Sequence, residues 1–304
     1  MREGMAAVIG ATGFLGSRLV SELGAAGRPL ALFNRSAPAV VGGRASAGLR
    51  DAQTVFFLAA GLNPVLAASS PEAVAAEHAL LTEVLEALVH ARRRPVFVLA
   101  SSGGAVYAPA AHSPYRESAL TGPTSAYGLA KLRLEQRLLG YSRRIRPLAL
   151  RLSNVYGPGQ RLARGYGVLP HWLAAAARDE PVRIFGDPRV ARDYVHVDDV
   201  ARMLAVIHDT VGAGLADTLP EVLNVGSGIP TPLGDLLDIV REVVGRNLVV
   251  RPEEGRPFDR QSNWLDTSLA RDVLGWKAEV ELRDGVRQCW AHLQELRTGA
   301  GPLM

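Results

Sequence analysis

Cysteine is almost missing from this 304-residue chain, Cys289 being the single thiol. One thiol allows no internal disulfide and excludes metal sites built on paired cysteines, and it suits a reducing cytoplasm. Lysine is nearly as scarce: two of the 34 basic residues are lysines, Lys131 and Lys277, and the rest are arginine. No apolar run reaches the ~18 residues of a membrane span, because Pro, Arg or Glu interrupts each candidate. The opening Met1-Arg2-Glu3-Gly4 enters a strand and a glycine turn directly, without the layout of a signal peptide. A formal net charge of +4 is too dilute over this length to mark a nucleic-acid binder. The one dense basic run, Arg92-Arg93-Arg94 before Pro95, reads as a helix C-terminus facing its own dipole. What remains, 48% hydrophobic and 21% charged, is the composition of a soluble globular chain with one large or two closely joined domains.

The first apolar run, Met5 to Ile9, suits a buried parallel strand. It leads into Gly10-Ala11-Thr12-Gly13-Phe14-Leu15-Gly16 and then a helical stretch from Ser17. Glycines at this spacing let the backbone turn tightly and approach a pyrophosphate, which the helix N-terminus then holds. Pro29 to Phe33 is the second strand, and Asn34-Arg35 follows where the adenosine ribose is met. An acid there would hold the 2′-hydroxyl of NAD; with none, and an arginine instead, NADP(H) is favoured over NAD(H). Ser36 to Thr54 contains no convincing extra strand. Val55 to Gly61 is the next, ending in the small residues Ala59, Ala60 and Gly61 where a cofactor can pass. A long helix over about Pro71 to His90 presents Val74, Leu81, Val84, Leu85 and Leu88 on one side, with His78 and His90 as packing or surface residues. Pro95 to Ala100 is the fourth strand and opens into Ser101-Ser102-Gly103-Gly104-Ala105-Val106-Tyr107. Leu148 to Asn154 is a further strand. Strands alternating with helices imply an α/β fold with a Rossmann-type, doubly wound parallel sheet. After Asn154 the texture becomes irregular, as expected of a smaller mixed α/β region built to supply a substrate pocket. The expected division is a dinucleotide-binding domain over 1–154, with 194–226 returning to it, and a substrate domain over most of 155–304.

Tyr127 and Lys131 are four residues apart in a stretch of helical period, so they share a face one turn apart. An ammonium beside a phenol lowers the phenol's pKa from its usual ~10 toward a usable acid/base range. In a chain that otherwise relies on arginine, a lysine here points to a need for a compact ammonium.

Taken together, GATGFLG (10–16), SSGGAVY (101–107), YGLAK (127–131), LRLSNVYGPGQ (150–160), RDYVHVDDV (192–200), LNVGSG (223–228) and RPFD (256–259) resemble the extended short-chain dehydrogenase/reductase family, in its nucleotide-sugar epimerase/dehydratase branch. The resemblance spans nearly the whole chain. It implies that Tyr127 is the proton donor/acceptor and that Lys131 tunes it and holds the nicotinamide ribose. Gly10, Thr12, Gly13, Phe14, Leu15, Gly16, Asn34, Arg35, Leu58, Ala59 and Ala60 would line the dinucleotide. Asn154, Val168, Phe185, Arg192, Arg256 and Asp259 would meet a nucleotide sugar; the two arginines suit a pyrophosphate, with a buried pair of Arg192 with Asp193 or Asp198 as the alternative. Dimerisation through the helices near 71–90 and 127–139 is implied too.

Three departures stand out. The hydroxyl expected four residues before Tyr107 is replaced by Gly103, and Ala105 lacks one as well, leaving Ser102, then Ser101, or a water as the donor to a developing alkoxide. The acid pair that dehydratases carry in this loop is missing. The 36–54 segment is short, which puts the adenine contact in doubt. The expected activity is reduction of an NDP-4-keto-6-deoxyhexose at C4, slightly ahead of UDP-hexose 4-epimerisation with retained NAD. A catalytically silent dinucleotide sensor is the alternative from another class.

Overall fold

The computed structural model describes residues 4–89, 91, 93–109, 111–162, 167–255 and 262–299. Walking from the N-terminus, β1 (Ala6–Ile9) runs into α1 (Phe14–Ala25) and β2 (Leu30–Phe33). A small hairpin, β3 (Val40–Val41) and β4 (Arg44–Ala45), and α2 (Ala47–Asp51) precede β5 (Thr54–Phe57). Then come α3 (Pro64–Ser69), α4 (Pro71–Val89), β6 (Val96–Ser102), the one-turn α5 (Gly103–Val106), α6 (Ala126–Leu139) and β7 (Arg146–Leu152). The remaining chain forms β8 (Asn154–Tyr156), α7 (Val168–Ala177), β9 (Val182–Phe185), β10 (Ala191–His196), α8 (Val197–Gly212) and β11 (Val222–Val225). It ends with β12 (Pro230–Pro232), α9 (Leu233–Val244), β13 (Val250–Glu253), α10 (Ser268–Leu274) and α11 (Leu282–Thr298).

Six strands make the main sheet in the order β11-β7-β6-β5-β1-β2, every neighbouring pair parallel. Because successive strand residues face opposite sides, the sheet feeds two cores. Ala6, Val8, Phe56, Val96 and Val98 join α1 and α8 through Leu19, Leu23, Val200, Met203, Leu204 and Ile207. Ala7, Ile9, Val55, Phe57, Phe97 and Leu99 join α4 and α6 through Leu81, Leu85, Leu88, Leu134 and Leu138. Apolar residues on both faces are what a parallel sheet covered on both sides requires, and each such large side chain contributes ~1.5–3 kcal/mol on burial. The chain turns one way from β1 to β2 and the other way to β5. That reversal leaves a crevice at the carboxyl ends of β1 and β5, where doubly wound sheets take their ligands.

The stretch between β2 and β5 holds more than the sequence reading allowed. Val40-Val41-Gly42-Gly43-Arg44-Ala45 closes a two-residue hairpin, both glycines at positive φ (57° and 73°), as the paired left-handed residues of such a turn require. It forms its own two-stranded sheet, so β2 remains the edge of the main one. A smaller unit lies beyond β7, with a three-stranded sheet (β12-β10-β8), a two-stranded one (β13-β9), and a core of Trp172, Leu173, Leu236, Leu237, Val240 and Val286 from α7, α9 and α11. Among the described residues, no helix is long and apolar enough to cross a membrane. His90, the last residue of the expected helix, and Arg92 of the basic run lie outside the described residues, while Arg94 of that run donates to the carbonyls of Ile145 and Ser142.

Candidate functional site

The crevice begins with glycines whose missing side chains are structural necessities. Gly10 has φ +91°, and a Cβ on it would stand 2.7 Å from the Ala59 amide nitrogen and 2.8 Å from the Leu58 carbonyl carbon. The ends of β1 and β5 touch here. A Cβ on Gly16 would lie 2.1 Å from the Gly10 carbonyl oxygen, so the third glycine lets α1 close onto the turn. Gly13 is the N-cap of α1, with no side-chain cap and no acid in the first turn. The helix therefore presents unpaired amides and a positive dipole end to the crevice. Thr12 and Gly13 are exposed and Phe14 and Leu15 half-buried beside it. A backbone cradle of this kind fits a dinucleotide pyrophosphate.

Asn34 ends β2 by turning inward: its side-chain oxygen accepts from the amides of Ser36 (2.9 Å) and Ala37 (3.0 Å). Arg35 is exposed beside it. On the other wall, Leu58 and Ala59 are half-buried and Ala60 exposed.

Tyr127 and Lys131 lie on α6, which starts at Ser125, whose hydroxyl caps the Gly128 amide at 3.1 Å. Gly128 is obligatory in this packing, because a Cβ would stand 2.3 Å from the carbonyl oxygen of Ala105 in α5. That close approach brings the start of α6 against the serine loop. Tyr127 packs against a small buried cluster of Leu62, Ala67 and Ala130, which Leu66 and Val74 of the α3–α4 region also join. Lys131 Nζ sits 5.7 Å from its centroid and the side chain is 2% exposed. A lysine so buried needs a counter-charge, and Glu77 supplies it.

Glu77, on α4, was not among the expected site residues. Its Oε1 accepts from Lys131 Nζ at 2.6 Å, and its Oε2 from the amides of Gly61 (3.0 Å) and Leu62 (3.1 Å). One buried carboxylate thus ties the β5 loop, α4 and α6 together. The sequence carried a signal for it: Glu77 falls on the same helical stripe as Leu81, Val84, Leu85 and Leu88, where an apolar residue belongs. His78 beside it bonds the Ala130 carbonyl (3.2 Å), and burial holds its pKa below 6.5.

The two candidate serines have different surroundings. Ser101 is buried and donates to Glu135, which grips Arg151 (2.8 Å) in a second buried ion pair; the Arg151 guanidinium lies 4.8 Å over the Tyr107 ring. Tyr107 in turn donates to Asn224 at 2.6 Å. Ser101 is thereby committed to the framework. Ser102, half-buried at the N-cap of α5, makes no side-chain capping bond. The absence of a side chain at Gly103 also has a cause: a Cβ there would lie 2.7 and 2.8 Å from the two methyls of Leu265 and 3.1 Å from the Arg151 carbonyl oxygen.

On the substrate side, Asn154 and Arg192 are half-buried on β8 and β10. Asn154 Nδ2 donates to the Asp193 carbonyl (3.0 Å), and Arg192 Nη1 to that of Ala191 (2.9 Å). Asp193 accepts from the Ser227 amide and hydroxyl and the amides of Gly228 and Leu265, while Asp198 lies near Arg18 and His196. Burial pushes the Asp193 carboxyl above its usual range, against the pull of those donors. Val168 opens α7 and Phe185 closes β9, both half-buried. Arg256 and Asp259 lie outside the described residues. A cavity of about 140 Å³ lined by Arg94, Arg146 and Glu221 is at the amino ends of β6, β7 and β11, opposite the crevice.

The described residues hold no cluster of side chains suited to a metal ion. The arrangement joins an anion cradle to a phenol with an ammonium held beneath it. Residues 6–226 match the model of the NAD dependent epimerase/dehydratase family. A putative UDP-glucose 4-epimerase of Methanocaldococcus jannaschii is 33% identical over 196 residues, 63% of this chain and 60% of that protein. A dTDP-4-dehydro-6-deoxyglucose reductase of Escherichia coli is 29% identical over 191 residues, 62% of this chain and 58% of that one. The chain thus matches about 60% of the length of these curated relatives. The solved structure of MoeE5 in complex with UDP-glucuronic acid and NAD is 31% identical with a TM-score of 0.80, covering 96% of this chain and 99% of that one. On these grounds, the chain belongs to the NAD dependent epimerase/dehydratase family, whose members are enzymes with this Rossmann-like fold.

Proposed function

We propose that this protein is an NAD(P)-dependent oxidoreductase of nucleotide-activated sugars, reducing an NDP-4-keto-6-deoxyhexose at C4. The observation that carries the reading is the buried Lys131 ammonium under the Tyr127 ring, on a helix that Gly128 brings against the serine loop. When bound, the nicotinamide supplies the hydride. Gly10 to Gly16 hold its pyrophosphate, and Leu58, Ala59 and Ala60 pass along its far side. Tyr127 gives the proton to the C4 oxygen, Lys131 steadies the phenol and the nicotinamide ribose, and Ser102 donates a hydrogen bond to the developing alkoxide. Asn154 and Arg192, with Val168 and Phe185, hold the sugar nucleotide; Arg256 and Asp259 are assigned to the same task by resemblance alone. The region over 155–304 is read as the substrate domain, with 194–226 returning to the dinucleotide domain.

NADP(H) is preferred on this reading. The ribose end of the crevice offers the exposed Arg35 guanidinium and no carboxylate, and the Asn34 side-chain oxygen is turned onto its own loop. An edge strand with no further sheet partner among the described residues on the adenine side suits a cofactor that comes and goes. The second reading, UDP-hexose 4-epimerisation with retained NAD, is favoured by the named activity of the Methanocaldococcus relative and by the NAD and UDP-sugar in the MoeE5 structure. Homodimerisation through α4 and α6 is part of the proposal: Leu80 and Leu129 are 37% and 40% exposed there. The cytoplasm is the compartment assigned.

Purified protein separates the readings. Oxidation of added NADPH in the presence of a dTDP-4-keto-6-deoxyhexose is the expected result. NAD released on denaturation, with interconversion of UDP-hexoses and no net cofactor use, would replace it by the epimerase. Cofactor binding without turnover of any nucleotide sugar, unchanged in Tyr127→Phe, would leave a dinucleotide sensor.

A further inference from the structure

Glu77 has no place in the proton and hydride path above, yet it is the nearest charge to Lys131. Its carboxylate is 5% exposed and takes three donors: Lys131 Nζ at 2.6 Å and the amides of Gly61 and Leu62. Those amides belong to the loop that leaves β5 at the crevice, so the pair also sets where that loop ends. A buried ammonium acts on a neighbouring phenol through its field, and a carboxylate in contact with it opposes that field.

We propose that Glu77 is a positioning residue for the reaction: it holds Lys131 beneath Tyr127 and offsets most of the ammonium's field, keeping the phenol in the protonated form that reduction of a carbonyl consumes. This rests on the assignment of Tyr127 and Lys131 as the reacting pair. The form that gives the proton in reduction is the phenol, so activity falls as pH rises through the phenol's titration. Removing the Glu77 charge leaves Lys131 uncompensated, favours the phenolate, and moves that fall to lower pH. In the oxidative direction the phenolate is the active base, and the rise in rate moves to lower pH by the same amount.

Other charges around α6 do not supply this effect. On the helices and strand beside the pair, α3, α5 and β5 carry no ionisable side chain. On α4, His78 faces the Ala130 carbonyl and burial keeps it neutral above pH 6.5, while Glu86 lies toward Arg137 at the surface, with Glu72 and Glu83 exposed. On α6 itself, Arg133 is exposed, and Glu135 is matched by Arg151 of β7, whose other arginine, Arg146, faces Asp217.

The test reads the phenol directly. Full-length protein labelled with ¹³C at tyrosine Cζ is titrated by NMR without substrate, and Tyr127→Phe identifies its signal among the seven tyrosines. In Glu77→Gln the Tyr127 midpoint falls by about one to two pH units, the order expected of one unit charge ~8 Å away at an effective dielectric of ~20. Glu77→Asp, which keeps the charge, restores most of it. An unmoved or raised midpoint in Glu77→Gln overturns the proposal. Should that variant fail to fold, Glu77→Gln/Lys131→Gln replaces a neutral pair by a neutral pair, and its midpoint stays within about half a unit of wild type if the two charges cancel. A larger rise in the double variant shows the ammonium acting alone and overturns the proposal equally. The resonance needs no turnover. Failure to reduce any nucleotide sugar therefore counts against the proposed activity, whereas an unmoved midpoint in an active enzyme counts against Glu77 alone.

Discussion

Replacing Gly103 by alanine puts a methyl group 2.7 and 2.8 Å from the methyls of Leu265, closer than carbon atoms pack, and 3.1 Å from the Arg151 carbonyl. Leu265 is 2% exposed and cannot swing into solvent. Overpacking of this kind costs ~1–3 kcal/mol. Gly103 begins a helical turn at a backbone conformation open to any residue, so alanine also gains up to ~1 kcal/mol by restricting the unfolded chain. The net expectation is a loss of about 1 kcal/mol. Leu265→Ala alone empties the facing space and costs ~2–5 kcal/mol. In that background the clash with the Leu265 methyls is gone; the 3.1 Å approach to the Arg151 carbonyl stays and offsets part of the backbone gain, so Gly103→Ala becomes stabilising by at most ~1 kcal/mol. The effect of one substitution thus changes sign with the identity of its neighbour, a coupling of about 2 kcal/mol. Denaturant unfolding of the four proteins in the cycle measures it. If Gly103→Ala has the same effect in both backgrounds, Leu265 is not what keeps this position a glycine. The serine variant extends the point: Gly103→Ser/Leu265→Ala has room for the hydroxyl that Gly103→Ser alone has to force in.

Arg35→Ala is expected to weaken NADPH binding about tenfold while leaving NADH within about twofold, since a charge-assisted contact to the 2′-phosphate contributes ~1.5–3 kcal/mol, reduced here by exposure; isothermal titration with each cofactor reads it. The two serines part company: Ser101→Ala removes a donor from the buried Glu135 and costs ~1.5–3 kcal/mol of stability with kcat little changed, whereas Ser102→Ala leaves stability near wild type and lowers kcat up to ~100-fold. Burial depresses the pKa of His78, so the unfolded chain binds its proton more readily. The stability this provides is complete above about pH 6.5 and is lost as pH falls below it, and His78→Gln flattens the dependence of unfolding free energy on pH between about 7 and 5.

The parallel sheet was legible because β1, β2 and most of β5 and β6 are unbroken apolar runs, and β1 is followed at once by glycines and a helix. Glu77 and Glu135 show where reading the chain stops. Each occupies a stripe position that helical periodicity assigns to the core, which marks it as buried and in need of a partner. The partner of Glu77 is 54 residues away, and only the packing of α4 on α6 identifies it. Local pattern announces a buried charge without saying what neutralises it. Gly103 is similar: the missing hydroxyl is visible in SSGGAVY, but Leu265, 162 positions later, is what occupies the space. The hairpin Val40–Ala45 was within reach, since two glycines between β-branched and small residues are a turn signal; its two-residue strands are too short to register as runs. Asn154 and Arg192 were singled out for a sugar nucleotide; the bond of Asn154 to the Asp193 carbonyl comes from the pairing of β8 with β10, which sequence spacing does not give, whereas Arg192 bonds the carbonyl of its own neighbour Ala191.

The most direct measurement of the central claim follows one atom. With nicotinamide-deuterated NADPH and a dTDP-4-keto-6-deoxyhexose, mass spectrometry of the product is expected to find one deuterium, located at C4. Tyr127→Phe is expected to slow its appearance by ~10²–10⁴-fold while binding the cofactor as tightly as wild type. Product without deuterium, or transfer at an undiminished rate in Tyr127→Phe, would contradict the account.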